Sequence, residues 1–390
     1  MKKGIRPQLC SLLHVIDLGS MIKRIVLVGA GHAHLYLAKR ARLFRERGVE
    51  LILVDPGDFE YSGLATGVLG GDYDWTLDRI DAGRLIESNG GRFVRDCVAA
   101  LEPTARQARL ESGHTLEYDA ISFNTGSKIN ETLIPGAECA WMVKPIANLW
   151  RLRAHLEKSL SERSALRAVV IGGGATGVEV AANMDALAQR CGGRLDITLV
   201  SSAPRVLTHA SRRAAKLAER HLRSRGIVLT LERHIERIRE DAAYTREGER
   251  YEFDVLVLAT GLVANPLMGR LGLSADEEKG LCVDASLRSL SADNVFGAGD
   301  CIVFDNRKLP MLGVHGVRQA PILMHNLLAR LCGGGLKRYR PRPWYLSILN
   351  LGCREALALW GPFHWLGRSS FVWKDHIDRK FLAQYGIGKQ

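Results

Sequence analysis

The most regular feature of the chain is a hydrophobic run that leads directly into a glycine-rich turn, and this arrangement occurs twice. Residues 25–28 precede Gly29-Ala-Gly-His-Ala-His34, and residues 168–171 precede Gly172-Gly-Gly-Ala-Thr-Gly177. A helical pattern follows each turn. An apolar run that turns tightly into a helix is typical of a buried parallel strand in a βαβ unit. The pattern therefore predicts two βαβ units.

Further similarities between the two units indicate that whole domains are duplicated. An apolar second strand follows each helix, at residues 51–54 and 197–200. Later, residues 120–126 (Ala-Ile-Ser-Phe-Asn-Thr-Gly) resemble residues 255–261 (Val-Leu-Val-Leu-Ala-Thr-Gly). The spacing between the glycine turns is nearly the same as that between the Thr-Gly pairs, so the repeat is one of domains.

One strand pattern has no counterpart between the two units. It covers residues 294–300 and ends in a Gly-Asp turn, so we expect it to complete the first domain after an inserted second domain. The predicted fold class is α/β, with two Rossmann-like domains, the second inserted in the first, and a small C-terminal piece. That piece is predicted as a β-hairpin (344–350 and 356–360) and a helix (371–385). The predicted bounds are 21–150 and 265–335 for the first domain, 151–264 for the second domain and 336–390 for the C-terminal piece.

Length and composition identify an ordinary globular chain. Its 390 residues, 46% of them hydrophobic and 25% charged, suffice for two or three domains and are unlike disordered or collagen-like sequences. The formal net charge of +12 favours an anionic partner, which is a nucleic acid, a lipid surface or a phosphorylated ligand. The charge alone does not choose among them.

The cysteines and the N-terminal residues indicate a cytosolic setting. None of the eight cysteines forms a CxxC or CxxxxC pair, as expected for reduced thiols. His14 and Asp17 interrupt the apolar stretch near the N-terminus, so it makes a poor signal sequence, and Met21 is a candidate for the true start. No apolar run reaches the roughly 18 residues of a spanning helix, which limits membrane contact to the periphery.

The first glycine turn has most of the residues that bind a dinucleotide. Gly29 and Gly31 let a pyrophosphate approach the backbone, and Asp55, at the end of the next strand, suits a ribose diol. His34 replaces the third glycine of the pattern, which we expect to weaken the packing of helix against strand. Taken alone, the turn is equally consistent with a purely structural role.

The second turn keeps all three glycines, namely Gly172, Gly174 and Gly177. The end of the following strand carries Ser201 and Ser202, with Arg205 close behind, in place of an acid. Hydroxyls and a guanidinium accept a 2′-phosphate, so NADPH is expected to compete with NADH. The alternative is that these three are ordinary surface-loop residues.

The order of these motifs resembles a known group of flavoenzymes. Two Rossmann turns, two Thr-Gly strands and a Gly-Ala-Gly-Asp turn are similar to the FAD-dependent pyridine nucleotide–disulfide oxidoreductase superfamily over residues 25 to 330. Finer features resemble its type II NADH dehydrogenase-like branch, and are closest to the flavoprotein module fused to selenide, water dikinase. These features are Gly29 to His34, Tyr61-Ser-Gly63, Gly126-Ser127, Val143-Lys-Pro145, Val317-Arg-Gln-Ala-Pro321 and Trp373-Lys-Asp-His-Ile-Asp-Arg379.

The resemblance implies FAD and NAD(P)H as cofactors, with Asp300 on the ribityl chain and Glu179 in the nicotinamide pocket. The alternatives are a simple turn residue and a solvated helix glutamate. The implied FAD-binding residues are Gly29, Gly31, His32, Ala33, Asp55, Thr125, Gly126, Gly299 and Asp300. The implied NAD(P)H-binding residues are Gly172, Gly174, Gly177, Glu179, Ser201, Arg205 and Gly261. We expect no metal.

The resemblance also restricts the electron acceptor. Residues 61–70 lack the CxxxxC of disulfide reductases, and residues 311–321 lack the cysteine expected of sulfide:quinone reductases. Cys139, Cys301 and Cys332 are interpreted as small buried residues, with a redox thiol as the alternative. Without a thiol relay the flavin transfers electrons directly to an acceptor, and the resemblance implies a quinone, although residues 313–321 keep one glutamine and otherwise depart from the quinone-binding pattern. His315, Gln319 and Lys144 are the candidate catalytic residues. Helix packing is the alternative for His315 and Gln319, and a surface position is the alternative for Lys144.

The predicted function is therefore that of an FAD-dependent NAD(P)H oxidoreductase that reduces a quinone or similar acceptor. Two alternatives stay open: a sulfide or sulfur-compound:quinone oxidoreductase, and a redox-sensing flavoprotein with slow turnover. We expect a cytoplasmic protein, peripheral on the inner face of the membrane, with no nucleic-acid partner and with a second copy of the chain as a further partner.

The C-terminal residues supply the argument for membrane contact. From 333 onward the chain has ten lysines and arginines, three acids and ten aromatic residues. Trp373, Ile377, Phe381 and Tyr385 recur every four residues, which predicts one apolar stripe on a helix with Lys374, Asp378 and Arg379 elsewhere. Such a stripe suits an anionic lipid interface. The alternative is packing on the protein itself or on a second copy.

Overall fold

The computed structural model describes residues 22–276, 280–305, 307 and 309–387, and the candidate start at Met21 lies outside these ranges. The elements up to residue 129 are β1 (Lys23–Val28), α1 (His32–Ala38), α2 (Ala41–Arg45), β2 (Val49–Val54), β3 (Phe59–Glu60), α3 (Ser62–Leu69), β4 (Arg79–Ile80), α4 (Ala82–Ser88), β5 (Arg92–Val94), β6 (Val98–Glu102), β7 (Gln107–Leu110), β8 (Thr115–Glu117), β9 (Ala120–Phe123) and β10 (Ser127–Ile129).

The middle of the chain contains β11 (Trp141–Met142), α5 (Ala147–Glu162), β12 (Ala165–Ile171), α6 (Ala175–Arg190), β13 (Arg194–Val200), α7 (Arg212–Ser224), β14 (Val228–Thr230), β15 (Ile235–Ile238), β16 (Ala242–Thr245), β17 (Arg250–Glu252), β18 (Val255–Leu258) and β19 (Leu262–Ala264). The remainder contains α8 (Leu267–Arg270), β20 (Ala275–Asp276), β21 (Gly280–Val283), β22 (Val295–Gly297), β23 (Ile302–Phe304), α9 (Gly313–Cys332), β24 (Leu346–Asn350), β25 (Ala356–Trp360), β26 (Phe363–Gly367) and α10 (Arg368–Ala383).

The first apolar run forms the centre of a parallel five-stranded sheet with the order β22-β9-β1-β2-β5. Residues 25–28 are buried, as a strand covered on both faces requires. β22 follows the strands of the second sheet along the chain, yet it pairs with β9 of the first sheet, where Phe296 lies opposite Ser122.

The second apolar run forms the centre of an equivalent parallel sheet with the order β11-β18-β12-β13-β14. The predicted α/β class with two Rossmann-like sheets is therefore confirmed. The edge strand β11 precedes α5 along the chain. It pairs with β18, and Trp141 lies opposite Val257. The domain bounds stay a prediction, and this pairing argues for a boundary before residue 141 rather than at 150.

The C-terminal piece is larger than the predicted hairpin. β24 and β25 pair as predicted, but β26 adds a third antiparallel strand, and α10 follows it at once. The sequence Phe-His-Trp-Leu-Gly of β26 follows the short turn Gly361-Pro362, and its five residues are mostly only half-buried. A weakly buried edge strand of this length leaves little hydrophobic alternation to recognise.

The C-terminal piece packs on both nucleotide-binding domains. Phe371 and Leu382 of α10 belong to the core around the first sheet, whereas Leu349 and Leu357 belong to the core around the second sheet. The three-part arrangement therefore leaves a cleft where the two domains and the C-terminal piece meet. Within the described ranges, no helix is long and apolar enough to cross a membrane.

The predicted single stripe on α10 is wrong. Lys374 and Asp378, expected away from the apolar face, are buried. Phe381 packs inward on Tyr61 with ring centroids 4.6 Å apart, while Trp373 remains partly exposed and stacks on Trp365 at 5.4 Å. The stripe is thus divided between the protein interior and the surface.

Candidate functional site

A cavity of about 450 Å³ lies where the two domains and the C-terminal piece meet. Its wall contains residues of the first glycine turn, Ala175 and Thr176 of the second glycine turn, and residues of β24 and α10. The predicted site residues in its wall are Gly29, Gly31, His32, Asp55, Thr125, Gly126, Lys144, Glu179, Gly299 and Asp300. The described lining contains no cysteine.

The first glycine turn lies directly against the end of β9. Gly29 has φ +87°, and a Cβ there would be 2.7 Å from the carbonyl oxygen of Asn124. The Asn124 side chain accepts from Ala33 N (2.9 Å) and donates to Ala298 O (2.7 Å). Sequence reasoning missed Asn124, although it directly precedes the Thr-Gly pair. It joins the turn to the strand that precedes Asp300.

His34 occupies the position of the missing third glycine without opening the packing. Its Nδ1 is 2.6 Å from Gly29 O and its Nε2 is 2.9 Å from Ser122 Oγ. A carbonyl only accepts, so Nδ1 carries the proton and Nε2 accepts from the serine hydroxyl. Burial lowers the pKa of His34 to about 4, so the ring is neutral at pH 7. The expected weakening of helix–strand packing is therefore wrong.

His32 begins α1 and lies in the cavity wall. Its ring packs edge-on against Phe59 at 4.9 Å, and burial lowers the pKa of the imidazole to about 4. The negative charge of Asp300 opposes this shift and the positive charge of Lys144 adds to it. A neutral imidazole therefore faces the charged pair.

Asp55 binds the backbone of the first glycine turn. Its carboxylate accepts from Ala30 N (2.7 Å) and Gly57 N (2.9 Å), and burial raises its pKa despite these bonds. It also lines a second cavity of about 310 Å³. The wall of that cavity also contains Gly29, Cys97 and Arg270.

Asp300 belongs to a small polar network in the wall of the larger cavity. Ser127 Oγ donates to Asp300 Oδ2 (2.9 Å), and Lys144 Nζ donates to Ser127 Oγ (2.5 Å) while lying 3.5 Å from Asp300 Oδ2. Lys144 is therefore half-buried and ion-paired, not a surface lysine. Carboxylate and ammonium both face the cavity.

His315 and Gln319 lie on α9 but do not line the cavity. His315 is buried with Nδ1 3.0 Å from the hydroxyl of Tyr339. Gln319 Oε1 accepts from Gly299 N (2.7 Å) and so supports the turn that carries Asp300. The packing interpretation suits both residues better than direct catalysis.

The second glycine turn has a close approach at Gly177, where a Cβ would meet Gly172 O at 1.8 Å. Ser201 is buried beneath Gly173 and accepts from Ala203 N (3.2 Å). The guanidinium of Arg205 donates to the carbonyls of Leu207, Thr208 and Ala210 and stiffens its own loop. Ser202 is exposed. The hydroxyl available at this edge is therefore that of Ser202.

Glu179 is half-buried in the cavity wall rather than solvated. Its Oε1 accepts from Asn350 N (2.8 Å) and from Thr66 Oγ1 (3.2 Å). Burial raises the pKa of Glu179 to about 7, although the positive charge of Lys374 lowers it. Glu179 can therefore hold a proton near neutral pH.

Lys374 reaches the cavity from α10, and sequence reasoning missed its role. Its Nζ donates to Asp378 Oδ2 (2.6 Å) and to Gly63 O. Asp378 Oδ1 also accepts from the hydroxyl of Tyr61 (2.8 Å). The one signal in the sequence was that the Tyr61-Ser-Gly63 and Trp373-to-Arg379 motifs are both among the features that resemble the family.

Two cysteine predictions are wrong. Cys139 and Cys332 are exposed, whereas Cys301 is buried as predicted. Cys139 lies in a 3-10 turn after Gly136 and Cys332 ends α9, so neither is near the interior of a sheet.

The larger cavity suits FAD on the evidence of its own polar groups. Asp55 and Asp300, whose carboxylates accept hydrogen bonds from hydroxyl groups, line it together with the backbone of Gly29 to His32. A Cβ at Gly126 would meet no atom within 4 Å, so the Thr-Gly turn leaves open space there. Ala175, Thr176 and Glu179 bring the second dinucleotide turn to the same cavity.

Two dinucleotide-type turns that open on one cavity define a two-domain nucleotide-binding oxidoreductase. Residues 23–320 match the family described as pyridine nucleotide-disulphide oxidoreductase. The chain therefore belongs to the pyridine nucleotide-disulphide oxidoreductase family, as predicted. FAD and a nicotinamide dinucleotide are the cofactors of this class, so the predicted cofactors are confirmed.

Relatives similar in sequence include proteins named for the type II NADH dehydrogenase-like activity. The chain is 25% identical to the external alternative NAD(P)H-ubiquinone oxidoreductase B2 of Arabidopsis thaliana, over 76% of this chain and 57% of that protein. It is 24% identical to an NADH dehydrogenase-like protein of Mycobacterium tuberculosis, over 86% and 87%. The chain thus spans little more than half of the plant relative.

Similar folds occur in two solved structures. NDH2 of Plasmodium falciparum, in complex with NADH, has a TM-score of 0.81 at 14% identity over 94% of this chain and 97% of that chain. The sulfide:quinone oxidoreductase of Aquifex aeolicus has a TM-score of 0.79 at 16% identity over 93% and 91%. At these identities the likeness establishes the fold.

Proposed function

We propose that the protein is an FAD-dependent NAD(P)H oxidoreductase that passes electrons from NAD(P)H to a quinone or a similar acceptor. The observation that carries this proposal is the single cavity bordered by the first glycine turn, by Glu179 after the second turn and by Lys374 of the C-terminal piece. Bound FAD supplies a hydride acceptor and electron carrier, which no side chain of the chain can supply.

The chain's own residues bind and orient FAD in this proposal. Asp55 would accept hydrogen bonds from the hydroxyl groups of the adenosine ribose. The backbone of Gly29 to His32 would bind the pyrophosphate. Asp300, oriented by Ser127, accepts a ribityl hydroxyl. Lys144 lies beside that carboxylate and would place a positive charge next to the bound cofactor.

The second turn binds NAD(P)H, with Gly172, Gly174 and Gly177 allowing the pyrophosphate to approach. Glu179 lies two residues past Gly177 in the cavity wall, where it would border a bound nicotinamide. Nothing acidic at Ser201 or Ser202 repels a 2′-phosphate, so both NADH and NADPH are donors. Arg205 and Gly261 contribute loop shape in this proposal.

Glu179 supplies a proton to the acceptor. Reduction of a quinone by NAD(P)H takes up one proton besides the transferred hydride, so a donor that holds a proton at neutral pH is required. Glu179 has a pKa of about 7 because it is buried. Lys374 lines the same cavity, and its positive charge limits how far burial raises the pKa of Glu179.

No specific observation favours the sulfur alternative, because the described lining of the larger cavity contains no cysteine. The deciding experiment mixes the purified FAD-loaded protein anaerobically with NADH, NADPH or sulfide and follows flavin bleaching, then adds a soluble quinone. Rapid bleaching by NAD(P)H followed by recovery with quinone is expected. Bleaching by sulfide alone, or bleaching without turnover, contradicts the proposal and indicates one of the two alternatives.

We also propose that the protein binds the inner face of an anionic membrane through its C-terminal piece. The apolar side chains of β25, β26 and α10 with the greatest exposure are Val372 (65%), Phe363 (60%) and Trp360 (49%). The net positive charge of these C-terminal residues attracts anionic headgroups. The same side chains are where a second copy of the chain would pack if the protein is a homodimer.

A further inference from the structure

Asp378 is a buried carboxylate to which the proposed function gives no role. It lies in the middle of α10 with 4% of its surface exposed. Its two oxygens have separate partners, since Oδ1 accepts from Tyr61 (2.8 Å) and Oδ2 accepts from Lys374 (2.6 Å). A buried carboxylate with two fixed partners has a defined position and a defined electrostatic effect.

Lys374 connects this carboxylate to the cavity. It is also buried, and it donates to Gly63 O as well as to Asp378. Both Lys374 and Glu179 line the cavity. Without a counter-charge, an ammonium beside a buried glutamate favours the ionised carboxylate. Burial raises the pKa of Glu179 most, Lys374 lowers it, and the negative charge of Asp378 acts against Lys374.

The other elements packed against α6 contribute no competing charge to Glu179. α3 has no charged residue, and β24 has none. On α5, Arg153 is bound to Glu157 and to the carbonyls of Val68 and Tyr73. The remaining charged or titratable residues of α5 also have contacts elsewhere: Lys158 pairs with Glu162, Arg151 lies over the ring of Trp150 and His155 packs on Trp141. The charged residues of β12 and β13 form ion pairs of their own, namely Arg167 with Glu252 and Asp254, and Arg194 with Asp196. The charge balance at Glu179 is therefore set by α10.

We propose that Asp378 is a positioning residue that neutralises Lys374 and thereby keeps the proton on Glu179 for the acceptor. This inference rests on the proposed function, in which Glu179 is the proton donor. When the acceptor is reduced, the O–H bond of Glu179 breaks and an O–H bond of the acceptor forms, while the electrons come from NAD(P)H. Tyr61 donates a hydrogen bond to the other oxygen of Asp378 and carries no charge in this arrangement.

The test measures the proton on Glu179 directly, without turnover. Infrared titration of the FAD-loaded protein, with no NAD(P)H and no quinone, follows the carboxylic-acid C=O stretch. We expect a band with a midpoint near pH 7 that is absent in Glu179→Gln. In Asp378→Asn the midpoint is expected to fall by ~1 pH unit, since an uncompensated cation then faces the carboxyl.

Two further variants separate charge from shape. Tyr61→Phe removes one hydrogen bond but no charge, so its midpoint is expected to stay within a few tenths of a unit of the wild type. The double variant Lys374→Met with Asp378→Asn removes both charges, so its midpoint is expected at or above the wild-type value. Circular dichroism and FAD content establish that each variant is folded.

Three results would overturn the inference. They are an unchanged midpoint in Asp378→Asn, an equal fall in Tyr61→Phe, and a fall in the double variant, which would mean that Asp378 does not act through Lys374. If Asp378→Asn does not fold, the double variant still decides, because a midpoint below that of the wild type overturns the inference and a midpoint at or above it supports the inference. Failure of wild-type turnover with NAD(P)H and quinone is a separate result that contradicts the proposed function but leaves the titration interpretable.

Discussion

His34 links the first glycine turn to the neighbouring strand through two hydrogen bonds, one to Gly29 O and one to Ser122. Replacing it with glycine restores the usual dinucleotide pattern but leaves two buried polar groups unpaired and a cavity behind. We expect His34→Gly to lower the free energy of unfolding by about 2–4 kcal/mol and to weaken FAD binding.

Urea unfolding and fluorescence titration of FAD into the apoprotein measure these two effects. His114→Gly is the matched control, because His114 lies exposed in a turn. Tighter FAD binding in His34→Gly would mean that the third glycine is the better residue here and that the hydrogen bonds contribute little.

Glu179 makes stability depend on pH in a defined direction. Its pKa is raised from 4.5 to about 7 by burial, so between these values the folded chain binds more protons than the unfolded chain. The free energy of unfolding therefore falls as pH rises through this window, by up to about 3 kcal/mol.

We expect Glu179→Gln to lose this contribution, measured by urea unfolding at pH 5 and pH 8. Glu87→Gln, at an exposed position of α4, should keep the wild-type pH dependence. An identical pH dependence in Glu179→Gln and wild type would show that Glu179 is ionised throughout.

The choice between NADH and NADPH is best tested at Ser202. Ser201 is buried beneath Gly173, so a glutamate there would disturb the turn itself. Ser202→Glu adds a diol acceptor and a repulsive charge at an exposed position, and it should shift kcat/KM toward NADH by tenfold or more. Ser202→Gln is the uncharged control. A wild type that already rejects NADPH a hundredfold would refute the serine argument.

At the level of elements, the residue after α7 attaches the second domain to the C-terminal sheet. Arg225 pairs with Asp185 of α6 (2.7 Å) and donates to Ala182 O (2.9 Å) and to Leu351 O. Arg225→Met leaves a buried carboxylate without its cation and should destabilise the protein by about 3–5 kcal/mol. Arg213→Met, exposed on the same helix, should change the unfolding midpoint little. Equal midpoints would mean that solvent replaces the pair.

The elements also show what sequence patterns can and cannot predict. The two glycine turns and their strands were predictable because strand, turn and helix are adjacent in the chain. The buried pair Lys374–Asp378 was not, because its partners Tyr61 and Gly63 lie more than 300 residues away. Aromatic spacing alone then suggested one apolar stripe on α10. His34 was misread for the same reason, since Ser122 is 88 residues distant.

At the scale of the whole molecule, the proposed membrane binding depends on the exposed apolar side chains of the C-terminal piece and not on those that pack inside the protein. Phe363→Ser combined with Val372→Ser removes two of the most exposed apolar side chains without touching Lys374 or Asp378. We expect wild-type protein to float with anionic vesicles at low salt, less so at high salt, and the double variant to float at least several-fold less.

Val228→Ser, equally exposed at the edge of the second sheet, is the control for this experiment. Unchanged flotation of the double variant contradicts membrane binding through this surface. A change in elution volume on gel filtration, with no flotation by any form, would identify the surface as the contact with a second copy of the chain.

The edge strand β11 has a consequence for protein engineering. Cut at residue 151, a transplanted nicotinamide-binding module would lose Trp141 and Met142 and expose the hydrogen-bonding edge of β18. Unpaired edges invite aggregation. A portable module must therefore begin before Trp141, and it carries with it Lys144, whose ammonium belongs to the other domain's carboxylate at Asp300. Cofactor environment and donor specificity are consequently exchanged together when such modules are recombined between proteins.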